Sequence, residues 1–153
     1  ESYLKQLNES LEIYGTQHKT GNPVVDTMLS GKSMLCREKG IQLLAYADAA
    51  PLDFVNAMDL CSIFGNALDN AIESAEKLED PEKRQIKVYV YAQNQFVIIR
   101  FENFYDEAPH FEGGLPLTTK KNQSLHGYGI RNIRAEDGCF QLLVLLPLHQ
   151  ERP

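Results

Sequence analysis

"DLCSIFGNALDNAIESAEK", residues 59–77, decides the fold. Set about 100° apart in turn, Leu60, Ile63, Phe64, Ala67, Leu68, Ala71 and Ala75 cover one broad apolar face, which predicts a core-facing helix over about 57–79. Asn66, Asn70, Glu73 and Lys77 form a separate stripe beside it. The two asparagines point the same way, one turn apart. Each costs about 0.5 kcal/mol against alanine inside a helix. Two such costs on one line suggest that the amide oxygens have a task. An amide oxygen is a hard, neutral donor of the kind Mg²⁺ accepts, alongside waters and phosphate oxygens. The same stripe also suits the solvated face of an ordinary amphipathic helix, so the helix alone leaves both readings open.

The flanking chain alternates helices and strands. Residues 1–18 carry Leu4, Leu7, Leu11 and Tyr14 at coiled-coil spacing. This predicts the end of a helical stem, or a helix packed on its own domain. "TGN" (20–22) breaks that run, and Pro23 suits the first turn of a second helix that Gly40 ends. "IQLLAYA" (41–47) reads as a strand. "RQIKVYVYAQ" (84–93) alternates Ile86, Val88 and Val90 against Lys87, Tyr89 and Tyr91, and "QFVIIRFEN" (95–103) follows across a turn at Asn94 and Gln95. Residues 104–125 have no periodicity, as in a functional or disordered loop. "HGYGIRNIR" (126–134) reads as a glycine turn entering a helix, and "CFQLLVLLPL" (139–148) as a last strand. That helix meets "AEDG" abruptly. Asp137 and Gly138 signal a hairpin turn without a first strand, so a stretch of chain is expected to be missing between Arg134 and Ala135.

Composition narrows the function classes. A chain of 153 residues with 43% apolar content fits one domain with a core. The net charge of −6 and the scattered lysines and arginines argue against a nucleic-acid partner. No apolar run approaches the roughly 20 residues of a membrane span. The chain opens at Glu1 with no secretory signal, which reads as a fragment whose membrane part lies upstream. Cys36, Cys61 and Cys139 are odd in number and lack CxxC spacing, which suggests reduced thiols and no zinc site.

"TTKKNQSLHGYGI" (118–130) holds Gly127 and Gly129 just before a predicted helix. Glycine lets backbone N–H groups approach an anion, and a helix N-terminus favours negative charge. Thr118, Thr119, Lys120 and Lys121 lie upstream, as a phosphate-contacting loop requires. The stretch is neither the dinucleotide fingerprint nor a Walker loop.

The order of these pieces resembles the ATP-binding domain of sensor histidine kinases, the Bergerat or GHKL fold. "GNALDNAIESA" resembles the N box, "IIRFENFYDE" occupies the place of the first glycine box, and "TTKKNQSLHGYGI" resembles the lid and second glycine box. "TGNPVVDTMLSGK" and "CREKGI" look like the branch that senses peptide pheromones in Gram-positive bacteria, which implies quorum sensing. The resemblance covers about residues 20–148. It implies an α+β fold: a two-layer α/β sandwich with a mixed sheet of four or five strands, about three helices on one face and a flexible ATP lid. Residues 1–19 would be the stem end and 20–153 the catalytic domain.

The resemblance also implies roles. ATP and Mg²⁺ would be the cofactors, with Asn70 the metal ligand and Asn66 beside the phosphates. Gly127, Tyr128 and Gly129 would cradle the phosphate tail, with Thr118, Thr119, Lys120 and His126 as lid or phosphate contacts. Asn103 falls where the family has the Asp that binds the adenine amino group. Its carbonyl can accept that bond without charge, which implies weak nucleotide binding. ATP-hydrolysing relatives carry a Glu base at the position of Asn66; asparagine takes no proton at neutral pH, which favours transfer to a supplied nucleophile over hydrolysis. That nucleophile would be a histidine on an upstream dimerisation stem, because His18 lacks the acidic neighbour of an acceptor motif. The implied protein is a histidine kinase, homodimeric through that stem, with a response regulator as partner, held at the cytoplasmic face of the membrane by upstream segments. Two alternatives stand beside it: a degenerate GHKL domain acting as a scaffold, and a serine kinase of the anti-sigma-factor type.

Overall fold

The computed structural model describes residues 18–106 and 130–148. Two α-helices, α1 (Pro23–Glu38) and α2 (Ala57–Glu76), accompany five strands: β1 (Gln42–Ala47), β2 (Gln85–Gln93), β3 (Phe96–Phe104), β4 (Ile130–Glu136) and β5 (Cys139–Pro147). Short 3₁₀ turns cover Ala50–Phe54 and Pro81–Lys83. The sheet order is β1-β2-β3-β5-β4. β1 runs parallel to β2, and the other pairings are antiparallel, so the sheet is mixed as expected. Parallel neighbours need a crossover, and α2 lies within that connection. The predicted stem over 1–18 lies outside the described residues except for His18.

Local chemistry sets each boundary. Asn22 caps α1, its Oδ1 accepting from Val24 N at 3.0 Å and Val25 N at 3.3 Å, and Pro23 follows at the first helical position. At the other end Ile41 N donates to Cys36 O and Gly40 N to Arg37 O, the paired bonds of a Schellman motif. Gly40 takes φ +69° there, which explains the glycine that ended the helix in the sequence. Asn56 caps α2 by accepting from Met58 N at 2.7 Å.

The core lies between the helices and one sheet face. Ile86, Val88 and Val90 of β2, Val97, Ile99 and Phe101 of β3, and Leu142, Val144 and Leu146 of β5 are all buried on it. α1 lies against β1, and α2 against β2 and β3. Lys32 pairs with Asp69 and Lys39 with Glu76, seven residues on along each helix, so the two helices run in the same direction. On the opposite sheet face Tyr46 stacks on Tyr89 at 5.3 Å, and the Arg100 guanidinium sits 4.2 Å over the Tyr89 ring.

One predicted element is corrected. The helix expected from Gly129 to Arg134 is instead strand β4 from Ile130, pairing Arg134 with Gln141 and Ala135 with Phe140. The physical reason is the turn that follows. Asp137 (φ +52°) and Gly138 (φ +74°) both adopt the left-handed conformation of a type I′ hairpin. That turn pins residues 130–136 against β5, whereas a helix of about six residues is marginal. The chain runs as one strand through the junction of Arg134 and Ala135.

Arg84 joins the ends of both helices. Its Nε donates to Leu78 O at 2.8 Å, while the two terminal nitrogens reach Lys39 O and Glu76 O at 3.4 Å each. The guanidinium therefore meets carbonyls left over at two helix C-termini, where the dipole favours a cation. Arg84→Ala is expected to lower unfolding free energy by about 2 kcal/mol and the thermal midpoint by ~4–8 °C, measured by denaturant and thermal melts. A loss below about 0.5 kcal/mol would show that water replaces the guanidinium at no cost.

Candidate functional site

α2 separates its contacts around its circumference. Leu60, Ile63, Phe64, Ala67, Leu68, Ala71, Ile72 and Ala75 are buried, adding Ile72 to the predicted face. Phe64 meets Phe101 of β3 edge-on, with ring centroids 5.4 Å apart. Gly65, Asp69 and Glu76 turn toward α1: a side chain at Gly65 would stand 3.3 Å from the Met28 methyl, and the two acidic residues hold Lys32 and Lys39. Asn66, Asn70 and Lys77 each come one residue later, about 100° around the axis from those contacts. The asparagine line therefore lies on the flank that α1 leaves free. Asn66 is half-buried, and Asn70 and Glu73 are exposed.

Neither Asn66 nor Asn70 spends its side chain on a hydrogen bond within the described residues. Among the described residues both amide oxygens are left to accept or to ligate. Asp59 and Ser62, both half-buried, extend the same line toward the helix N-terminus. Reading the sequence missed them because an Asp in a first turn looks like ordinary helix-start chemistry and one small Ser on a helix flank carries no signal. Among the described residues no group of three or more His, Cys, Asp or Glu could hold a metal ion. The oxygen donors along this line are the two amides, the Asp59 carboxylate and the Ser62 hydroxyl.

Asn103 ends the buried row of β3 with 4% of its surface exposed. Its Nδ2 donates to Phe104 O at 3.0 Å. A backbone carbonyl only accepts, so the amide orientation is fixed and Oδ1 is the group left to present. Thr118, Thr119, Lys120, His126, Gly127, Tyr128 and Gly129 lie outside the described residues.

Residues 55–144, more than half the chain, match the GHKL domain family. The chain belongs to the GHKL domain family. Along 103 residues it is 28% identical to the probable C4-dicarboxylate sensor kinase of Halalkalibacterium halodurans, covering 64% of this chain and 19% of that protein. The GHKL chain thus spans about a fifth of that relative's length. In fold it is similar to the nucleotide-free catalytic domain of histidine kinase ThkA, with a TM-score of 0.61 and 16% identity over 84% of this chain and 92% of that one. Histidine kinase AdeS of Acinetobacter baumannii matches at a TM-score of 0.52 and 13% identity, covering 97% of this chain and 80% of that chain. These likenesses agree with the α+β architecture of a five-stranded mixed sheet and helices on one face. Among the described residues no helix is long and apolar enough to cross a membrane.

His18 and Cys36 of this GHKL domain are placed for structure. His18 Nε2 lies 2.8 Å from Ser33 Oγ, and its backbone N–H donates to Ser30 Oγ at 3.3 Å, tying the chain leading into α1 to that helix. Burial pushes the Cys36 thiol up to about 11 against the opposing pull of Lys32, so it stays protonated. Burial also lowers the His18 pKa below its ordinary 6.5, with Asp26 opposing. The neutral ring is therefore favoured in the folded state. Its contribution is complete above pH 6.5 and is lost as the pH falls from 6.5 through the lower folded value. Urea midpoints of the wild type are expected to fall more between pH 7.5 and 5.5 than those of His18→Gln. Parallel pH profiles in the two proteins would remove His18 from the linkage.

Proposed function

We propose that this GHKL domain binds Mg²⁺–ATP and supplies its γ-phosphoryl group to a histidine on an upstream dimerisation stem, as the catalytic part of a sensor histidine kinase. The observation that carries the reading is the line of uncommitted amides, Asn66 and Asn70, on the flank of α2 that α1 leaves open. A divalent cation bound there would bridge and neutralise phosphate oxygens. Asn70, exposed and without a partner among the described residues, is the ligand in this reading, and its hard neutral oxygen fits the ion. Asn66 would orient the phosphates. Asn103 Oδ1 would accept from the adenine amino group. Thr118, Thr119, Lys120, His126, Gly127, Tyr128 and Gly129 would close over the phosphate tail.

With Asn in place of a carboxylate base at position 66, the chain offers no group there to deprotonate an attacking water. Its part is to position the nucleotide and match its charge, while the nucleophile comes from the stem. We further assign the intact protein to the peptide-pheromone-sensing branch. It would be homodimeric through the stem, paired with a response regulator, and held at the cytoplasmic face of the membrane by upstream segments.

Two measurements test this. Calorimetric titration with Mg²⁺ and a non-hydrolysable ATP analogue is expected to show binding at least tenfold weaker in Asn70→Ala, a loss of about 1.4 kcal/mol. Equal affinities would remove Asn70 as the ligand. With the upstream stem appended, radiolabelled ATP is expected to yield acid-labile phosphate on the protein. Nucleotide binding with no such phosphate would point to the scaffold reading.

A further inference from the structure

A cleft of about 460 Å³ opens at the sheet edge, remote in sequence from the asparagine line. His18, Ser33 and Arg37 line one wall and residues 40–43 the other. His18 and Ser33 satisfy each other. Arg37 is exposed, and its side chain has no hydrogen bond or ion pair among the described residues. Among the described residues no carboxylate lines the cleft, and Arg37 is the one fixed charge of its lining.

β1 forms the adjoining edge, with β2 as its partner among the described strands. Gln42 N donates to Arg84 O and Asp48 N to Val90 O, both at 2.9 Å. In a parallel ladder alternate residues turn their polar groups to alternate sides. The even-numbered residues of β1 thus face β2, and Leu43, Ala45 and Ala47 turn N–H and C=O outward. Further along, Thr20 O takes the Ala49 N–H at 2.7 Å, so the chain's own backbone occupies the edge beyond β1 and bounds the free stretch. The side chains of Leu43 and Ala45 pack toward the helix layer. A strand laid along this edge would send every second side chain to that same side, into the cleft beside Arg37.

We propose that the β1 edge and this cleft form a docking site for an extended segment of a partner protein carrying one acidic side chain between uncharged residues. Its main chain pairs with Leu43 and Ala45, and its carboxylate meets Arg37. Strand addition supplies affinity through main-chain bonds, and the pocket supplies selectivity. Charge complementarity selects the acid: among the described residues one unpaired cation faces a cleft lined by no anion. The net charge of −6 selects against a polyacidic partner, which the rest of the domain would repel. The proposal stands apart from the kinase reading and survives its failure.

The test uses the ¹⁵N-labelled 153-residue chain and two peptides, acetyl-Thr-Val-Glu-Val-Thr-amide and its Lys counterpart. The Glu peptide is expected to shift the Leu43 and Ala45 amide resonances saturably and to bind about fivefold more tightly than the Lys peptide, the scale of one exposed ion pair. Arg37→Glu should reverse that order, and this exposed position keeps the variant folded. Ala45→Pro removes an outward N–H without touching the β1–β2 ladder and should abolish binding of both peptides. Shifts absent from the β1 edge, or a peptide order unchanged by Arg37→Glu, would overturn the proposal.

Discussion

The burial of one face of α2 on the sheet governs the rest of this domain. Phe64 against Phe101 fixes where that helix crosses β3, and the small Ala67, Ala71 and Ala75 let it approach the strands closely. Once the apolar face is committed, every other position on the helix has a determined direction. Gly65, Asp69 and Glu76 must turn to α1, and the residue after each must turn away from it. Asn66 and Asn70 owe their direction to this geometry alone, because neither forms a bond of its own within the described residues that would hold it there.

The second constraint is the parallel course of α1 and α2. Parallel helices bring two negative dipole ends to one side of the layer, an arrangement that repels unless a cation lies there. Arg84, placed just before β2, reaches carbonyls at both ends and at the segment between. Ion pairs seven residues apart repeat the alignment along the helices. Register between the helices is thus set by a charge at one end and two pairs along the side. The asparagine line inherits that register.

Most of this architecture was legible in the residues, because α1, α2, β1, β2, β3 and β5 each carry a complete local signal: a cap, a period or a turn. β4 was misread because its signal is not local. "IRNIRAE" has no clean alternation, and its glycine-led start resembles a helix entrance. The turn at Asp137 and Gly138 and the apolar partner β5 decide its state, and both lie downstream. The asparagine line was legible through its periodicity. Asp59 and Ser62 were not, since a first-turn Asp is ordinary helix-start chemistry and a lone Ser one turn on carries no signal. The cleft beside β1 was invisible for a different reason: His18, Ser33 and Arg37 meet residues 40–43 only after α1 has folded back on the edge strand.

Asn103 links the fold to the proposed chemistry. A buried aspartate at the end of β3 would have to be desolvated as an anion, which favours a strong partner in the site. An asparagine there carries no such penalty, and its Nδ2 bond to Phe104 O holds the amide in one orientation when the site is empty. The position offers an acceptor without a buried charge. In the proposed reading, an amide rather than a carboxylate at position 66 likewise offers an acceptor and no base. Under that proposal both positions would serve by acceptor geometry without charge, which suits a module that positions a nucleotide for a nucleophile supplied elsewhere.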